Sequence, residues 1–244
     1  LKVRQHDKFP SFKKLRYINE LLSFHGLPYT PVMETVAHHK KFPYGAILFE
    51  WKEGRNIATL SEYEELLPKV VATLKIIHTI RAPYYENMDL GLRATSYANF
   101  ITAVLRARIE QCRKEHLLDP NIETRLTSFL STIRCGREVP PVLVHRDAAK
   151  SNLLIRSSGP PILIDWDNAE FTTPLSDVAR IIFVYRWTFD DDKRNRILSA
   201  YLGAQAGKDE EDILTAEYVR NALEGLIFKD TDSQHCRMVI DRIL

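Results

Sequence analysis

Apolar residues recur at helical spacing early in the chain and again over most of the chain beyond about residue 62. Between residues 11 and 25 they fall three or four positions apart, which predicts an amphipathic helix with one buried face. Residues 46–51 form a short apolar run between glycines, as is typical of a buried strand. From about residue 62 helical spacing dominates again. The clearest helical segments there are 96–115, 121–134 and 174 to the end.

Short apolar runs interrupt the helical part. Residues 142–144 predict one strand, and residues 153–155 and 162–164 predict a hairpin, because the residues between them have the composition of a turn. The segment before residue 52 is predicted to be strand, helix, strand, and its first strand contains Lys2. We therefore expect an α+β fold.

The change in character near residue 54 predicts two lobes. Residues 1–54 would form a small mixed lobe, and residues 55–244 would form a larger, mainly helical lobe. The chain opens at Leu1 in what looks like the end of a strand, so we expect the start of that strand to lie upstream.

Composition and charge narrow the class of protein. The 244 residues are 45% hydrophobic and 27% charged, as in a soluble globular protein. Thirty-four basic and 32 acidic side chains leave a formal net charge of +2, so no global field attracts nucleic acid or an anionic membrane. No apolar run approaches the roughly 20 residues of a membrane-spanning helix. Three widely spaced cysteines with no paired motif predict a cytoplasmic protein.

The residues that carry chemistry lie between the strand at 142–144 and the end of the hairpin. Asp147 follows the first strand, Asn152 stands five residues later, and Asp165 ends the returning strand of the hairpin. Because the hairpin brings its two ends together, these three polar side chains are expected to converge.

Such an array suits phosphoryl transfer. Mg²⁺ prefers hard oxygen ligands, and an Asn carbonyl with one carboxylate supplies two while leaving positions for phosphate and water. A second carboxylate that stays off the metal can orient an acceptor hydroxyl and take its proton. The spacing therefore predicts a magnesium site beside a general base.

The segment Val144-His145-Arg146-Asp147-Ala148-Ala149-Lys150-Ser151-Asn152 and the later Leu163-Ile164-Asp165-Trp166-Asp167 resemble the aminoglycoside phosphotransferase and choline kinase-like family. The resemblance extends over nearly the whole chain and implies the two-lobed protein-kinase-like fold. It also implies a small-molecule kinase that moves the γ-phosphoryl group of ATP, or of GTP, to a hydroxyl of an amino-sugar, amino-alcohol or related compound.

The resemblance implies a role for each matching position of the catalytic region. Asp147 would be the catalytic base, and Asn152 and Asp165 would hold Mg²⁺. His145 and Asp177 would support these groups from behind, Asp177 by bracing the catalytic loop from the following helix.

The resemblance also implies a nucleotide site. Lys2 would contact the α- and β-phosphates. Backbone groups of Glu50 and Lys52 would hydrogen-bond the adenine, with Phe49 behind it.

The sequence departs from the family pattern at several positions. Arg146 stands where the family usually has Gly, and Lys150 stands where it commonly has Pro. No glycine-rich strand pair precedes Lys2 in this chain, and lysines and an arginine occupy the part of the first helix where a glutamate would pair with Lys2. A cation at position 150 could touch the γ-phosphate or an anionic acceptor.

Three other functions remain open. The His145-Arg146-Asp147 triplet also fits a protein kinase, although no Ala-Pro-Glu segment follows Asp165. The missing glycine-rich loop fits a nucleotide-binding pseudokinase or scaffold. A purely structural helical domain would leave the spacing of Asp147, Asn152 and Asp165 unexplained.

Overall fold

The computed structural model describes residues 2–3, 12–36, 40, 45–134, 139–229 and 231–244. The chain divides into two compact units. Unit 1 comprises residues 1–80 and 145–169, and unit 2 comprises residues 81–144 and 170–244. The chain thus leaves unit 1 once and returns to it for the segment that carries the candidate catalytic residues.

The described part of the chain contains helices and short strands, and its last four elements are all helices. The strands are β1 (Lys2–Val3), β2 (Val32–Val36), β3 (Ala46–Phe49), β4 (Arg55–Asn56), β5 (Tyr85–Asn87), β6 (Leu92–Ala94), β7 (Val142–Val144), β8 (Leu153–Ile155), β9 (Ile162–Leu163) and β10 (Glu170–Thr172). The helices are α1 (Phe12–Phe24), α2 (Leu60–Ile77), α3 (Tyr97–Lys114), α4 (Pro120–Thr132), α5 (Leu175–Val184), α6 (Asp191–Leu202), α7 (Lys208–Phe228) and α8 (Ser233–Ile243).

The first helix of unit 1 buries the face that its apolar spacing predicts. Leu15, Ile18 and Leu22 of α1 are at most 2% exposed. A three-stranded antiparallel sheet, in the order β1-β3-β2, belongs to the same unit. The predicted helix over 11–25 and the predicted strands at Lys2 and 46–51 are confirmed.

The predicted order strand, helix, strand for this segment is nevertheless wrong, because β2 lies between α1 and β3. The sequence of β2 has no clean alternation, since Met33 and Glu34 are both exposed. Its pairing with β3 shifts register between Val32 and Glu34, which accounts for the broken pattern.

The predicted hairpin is confirmed and positions the catalytic region. β8 pairs with β9 in antiparallel register, with Leu153 opposite Leu163. Asn152 immediately precedes β8 and Ile164-Asp165 immediately follow β9, so pairing of the strands brings these positions to one end of the hairpin. β4 extends this sheet along β8.

Unit 2 is mainly helical. Helix α7 packs against α3, α5 and α8. A four-stranded antiparallel sheet, in the order β6-β5-β10-β7, completes the unit. The sequence patterns gave no indication of β5, β6 or β10, because each is three residues long and, unlike the equally short β7 and β8, is not a continuous apolar run.

Two further sequence expectations concern cysteines and membrane helices. Cys112 and Cys236 are buried and form no disulfide among the described residues, and Cys135 lies outside those residues. Within the described ranges no helix is both long and apolar enough to cross a bilayer.

Candidate active site

The catalytic loop, defined as residues 145–152, joins β7 to β8. Hydrogen bonds of its buried histidine, His145, hold the loop in place. His145 is fully buried. Its Nδ1 accepts a hydrogen bond from the Asp147 backbone N–H at 3.2 Å, so Nε2 carries the proton and donates to the carbonyl of Ile164 at 2.9 Å. His145 therefore links the residue that carries the candidate base to the residue that precedes Asp165.

Asn152 contacts the candidate base directly. Its Nδ2 donates to the Asp147 carboxylate Oδ2 at 2.8 Å and to the Asp147 backbone carbonyl at 2.9 Å. Asp147 itself is half-buried, so its carboxylate is neither sealed in the core nor freely mobile. Because the amide nitrogen is committed to Asp147, the Oδ1 atom of Asn152 is the end left to act as a ligand.

Asp165 is tied to Asn152 through the backbone. The N–H of Ile164 donates to the carbonyl of Asn152 at 2.9 Å. Asp165 adopts the left-handed conformation, with φ 65° and ψ 67°, and its side chain is exposed. A non-glycine residue holds this conformation only where its surroundings enforce it, and such residues cluster at functional sites.

The donor chemistry of these side chains fits Mg²⁺. The amide oxygen of Asn152 and the carboxylate of Asp165 are hard oxygen donors, which Mg²⁺ prefers. In the part of the chain that the structure describes, no group of three or more His, Cys, Asp and Glu residues could hold a metal ion. A two-ligand protein site agrees with a cation whose other ligands are phosphate and water.

Two contacts missed by sequence reasoning anchor the catalytic loop. The Tyr63 hydroxyl, from α2, donates to the backbone carbonyl of Ala148 at 2.8 Å and is fully buried. Lys150 Nζ donates to the carbonyl of Ala58 at 3.0 Å, so in this state the Lys150 ammonium contacts protein. Neither contact could be predicted from sequence, because each joins segments that are far apart in the chain. From its position, Tyr63 would be taken for one more apolar residue on the buried face of α2.

Arg146 explains one departure from the family pattern. Its φ is 66°, a region that glycine occupies without strain, and the family usually has glycine there. The side chain is only 4% exposed. A buried arginine thus adopts a backbone conformation that a glycine would adopt without strain.

A second feature of unit 1 is a cavity of about 580 Å³ beside β3. Its lining residues are Thr30, Phe49, Glu50, Trp51, Lys52, Gly54, Asn56, Leu154, Ile164 and Asp165. The cavity thus brings the predicted adenine-binding positions and one predicted metal ligand to the same space. It is large enough for a nucleotide-sized ligand.

Existing backbone hydrogen bonds limit which groups of Glu50 and Lys52 could contact an adenine. The N–H of Glu50 donates to the carbonyl of Pro31 at 2.8 Å, so it is already used. Among the described residues, the Glu50 carbonyl and the Lys52 N–H make no backbone hydrogen bond. The Lys52 ammonium lies 2.6 Å from the Glu50 carboxylate.

The two remaining predicted site residues, Lys2 and Asp177, belong to different units. Lys2 pairs with Ile47 of β3 within the first sheet of unit 1. Asp177 belongs to unit 2, in the first turn of α5, and is fully buried. Its negative charge adds to the effect of burial in raising the pKa of Tyr201. Their predicted roles toward phosphate and the catalytic loop stay predictions.

Comparison with known proteins identifies the family. A model of the phosphotransferase enzyme family, APH, matches residues 2–214. The chain belongs to this family. The predicted family is therefore confirmed, and the chain is a phosphotransferase.

Several solved structures have the same fold as this chain. Aminoglycoside phosphotransferase APH(4)-Ia matches at a TM-score of 0.66 and 19% identity, over 95% of this chain and 80% of that chain. A choline/ethanolamine kinase family protein from Mesorhizobium loti matches at 0.62 and 12%, over 96% and 79%. A thermostable APH(4)-Ia mutant in a ternary complex with AMP-PNP and hygromycin B matches at 0.64 and 20%, over 95% and 80%. The predicted α+β protein-kinase-like fold is confirmed.

Proposed function

We propose that this phosphotransferase is a Mg²⁺-dependent small-molecule kinase. It transfers the γ-phosphoryl group of ATP to a hydroxyl of an amino-sugar, an amino-alcohol or a related metabolite or antibiotic. The observation that carries the proposal is the hydrogen bond from Asn152 to the carboxylate of Asp147 at 2.8 Å, on a loop whose backbone is also bonded to the residue before Asp165.

Asp147 is the proposed catalytic base. Its carboxylate accepts the hydrogen bond from Asn152, and its backbone N–H is held by His145. These two contacts fix the direction in which the carboxylate meets an acceptor hydroxyl. General-base assistance of this kind contributes roughly 10²–10⁴-fold in rate.

Asn152 and Asp165 are the proposed Mg²⁺ ligands, through an amide oxygen and a carboxylate. When bound, the cation neutralises the charge of the β- and γ-phosphates. The protein's part is to keep the two oxygens in fixed positions. The backbone bond between Ile164 and Asn152 serves that purpose, because it ties the segments that carry them.

The cavity beside β3 is the proposed nucleotide site. A backbone carbonyl at Glu50 and an N–H at Lys52 complement the N6 amino group and N1 of adenine. Guanine has an acceptor, O6, where adenine has the N6 amino group, and a donor, N1–H, where adenine has the acceptor N1. We therefore propose that ATP rather than GTP supplies the phosphoryl group. Phe49 lines the same cavity, and Lys2 is proposed to contact the α- and β-phosphates.

The acceptor class is proposed from the similar proteins. The APH(4)-Ia mutant was crystallised with hygromycin B, which supports an amino-sugar as the acceptor. The protein from Mesorhizobium loti belongs to the choline/ethanolamine kinase family, which supports an amino-alcohol as the acceptor.

We propose that residues 55–244 form the lobe that holds the acceptor and that residues 1–54 form the smaller lobe. Asp177 is proposed to brace the catalytic loop, and the cytoplasm is the proposed location.

The test is a radiolabel transfer screen with purified protein, [γ-³²P]ATP and Mg²⁺. Aminoglycosides, choline-like alcohols, sugars and macrolides serve as small acceptors, and mixed protein substrates serve as the competing class. We expect label on a small hydroxyl compound. Transfer to protein alone would support a protein kinase, and nucleotide binding without any transfer would support a pseudokinase.

Variants of the proposed base and metal ligand test the mechanism. Asp147→Asn should keep Mg²⁺-dependent nucleotide binding and lose turnover by about 10²–10⁴-fold. Asp165→Ala should lose Mg²⁺-dependent binding as well. Asp192→Asn, an exposed aspartate of α6, is the matched control and should behave as wild type. Normal turnover by Asp147→Asn would refute the assigned base.

A further inference from the structure

Lys14 is a buried lysine on α1 that the proposed function does not use. It is 3% exposed, while its neighbour Lys13 is exposed. Burying an ammonium group is costly unless hydrogen bonds compensate. Lys14 Nζ donates to the backbone carbonyl of Asp167 at 2.5 Å, a residue 153 positions later in the sequence.

The carbonyl that Lys14 contacts belongs to the turn next to a proposed metal ligand. Asp167 is the middle residue of a short 3₁₀ turn, Trp166–Asn168, that begins directly after Asp165. Asp165 itself holds a left-handed backbone, which is strained for a non-glycine residue and persists only where surrounding contacts hold it.

Several contacts hold this turn. From the hairpin side, the Trp166 indole N–H donates to the carbonyl of Leu163 at 3.0 Å. From the helix side, the contact is the hydrogen bond of Lys14 to Asp167. Loss of the Lys14 contact would leave the turn held by its own hairpin and by the ring of His145, which lies 4.6 Å from that of Trp166, and would loosen the backbone of Asp165.

We propose that Lys14 is a positioning residue for the Mg²⁺ site, because it holds the turn that fixes the backbone of Asp165. The inference rests on the proposed function. It also gives a role to the cationic part of α1, where the family resemblance leads one to expect a glutamate that pairs with Lys2. In this chain a lysine of α1 instead contacts the turn that follows the proposed metal ligand Asp165.

Positioning and simple electrostatics predict opposite effects of removing the Lys14 charge. A positive charge near a divalent cation repels it, so loss of the charge alone would strengthen metal binding. Loss of a group that orients a metal ligand weakens metal binding, typically by about 10- to 100-fold. The sign of the change therefore separates the two roles.

The experiment measures Mn²⁺ binding by electron paramagnetic resonance in the presence of AMP-PNP, which requires no turnover. Lys14→Met should weaken Mn²⁺ binding by about 10- to 100-fold and leave metal-free AMP-PNP binding unchanged. Lys14→Arg, which keeps a cationic donor, should recover most of the affinity. Lys13→Met is the matched control, since it removes the same charge from the exposed face of the same helix, and should match wild type.

Lys14→Gln keeps the test open if Lys14→Met does not fold, because it retains a polar donor while shortening the reach. It too should weaken Mn²⁺ binding. Unchanged or tighter Mn²⁺ binding in folded Lys14→Met or Lys14→Gln protein overturns the proposal. Wild-type protein that binds neither AMP-PNP nor Mn²⁺ would instead overturn the proposed function, so the two failures are distinguishable.

Discussion

The side-chain amide of Asn152 donates to the carboxylate of Asp147 at 2.8 Å, so one residue serves both the candidate base and the candidate metal site. Its nitrogen contacts Asp147, and its oxygen is the proposed Mg²⁺ ligand. These two functions reside on different atoms of one side chain. They can therefore be separated by substitution.

Asn152→Asp should separate them. The substitution keeps an oxygen ligand and adds negative charge, so Mn²⁺ binding in the presence of AMP-PNP should be retained or strengthened. It removes the donor to Asp147 and places two carboxylates together, so turnover should fall by about 10²-fold as the base loses its orientation. Steady-state kinetics and paramagnetic resonance provide the two measurements.

Asn152→Ala is the comparison, because it removes both atoms. It should lose metal binding and turnover together. If Asn152→Asp instead turned over as fast as wild type, the hydrogen bond to Asp147 would have no part in orienting the base.

Tyr63 should stabilise the catalytic loop through its single hydroxyl. Tyr63→Phe leaves the buried carbonyl of Ala148 without this donor, which should lower the free energy of unfolding by about 1–3 kcal/mol. Turnover should fall as well, because Ala148 directly follows Asp147. Urea denaturation and steady-state kinetics measure the two effects.

Tyr84→Phe is the matched control for Tyr63, since Tyr84 is 41% exposed. It should change the free energy of unfolding by less than about 0.5 kcal/mol. A loss of stability in Tyr63→Phe with unchanged turnover would show that the contact supports the fold without shaping the loop.

The candidate catalytic residues could be predicted from sequence because their geometry is local. Asp147 and Asn152 lie on one loop, and the hairpin that follows returns the chain to Asp165. Apolar runs and turn composition are enough to define such a hairpin. The residue spacing therefore carried most of the information about the site.

The supporting contacts could not be predicted, because they join distant segments. Tyr63 and Ala148 are 85 positions apart, and Lys14 and Asp167 are 153 apart. Residue pattern alone predicts that a face is buried, but not which backbone carbonyl a polar atom on that face will meet. A lysine on α1 reads from sequence as solvent-exposed, as Lys13 is.

Protonation of His235 should destabilise unit 2 in mild acid. Burial lowers the pKa of His235 below its ordinary value, Arg186 lowers it further, and the Phe183 carbonyl and Asp232 oppose these effects. Because the unfolded state binds the proton more readily, the free energy of unfolding should fall as pH drops through about 6.5, by at most about 1.4 kcal/mol per pH unit. Urea denaturation between pH 7.5 and 5.5 measures this slope.

His235→Gln should have a smaller slope over that range, since glutamine does not titrate. His25→Gln is the control, because His25 is exposed and should leave the slope unchanged. Equal slopes in wild type and His235→Gln would assign the pH dependence to other groups.

Glu170 and Arg220 form a buried two-point ion pair in unit 2, at 2.6 and 2.8 Å, so removal of one partner should be costly. Glu170→Gln leaves the Arg220 charge inside the protein and should lower the free energy of unfolding by about 3–5 kcal/mol. Glu86→Gln breaks an exposed pair with Arg93 in the same sheet and should cost less than about 1 kcal/mol. Urea denaturation compares them. Similar small costs would mean that the neighbouring Glu224, 3.1 Å from Arg220, suffices to neutralise the guanidinium.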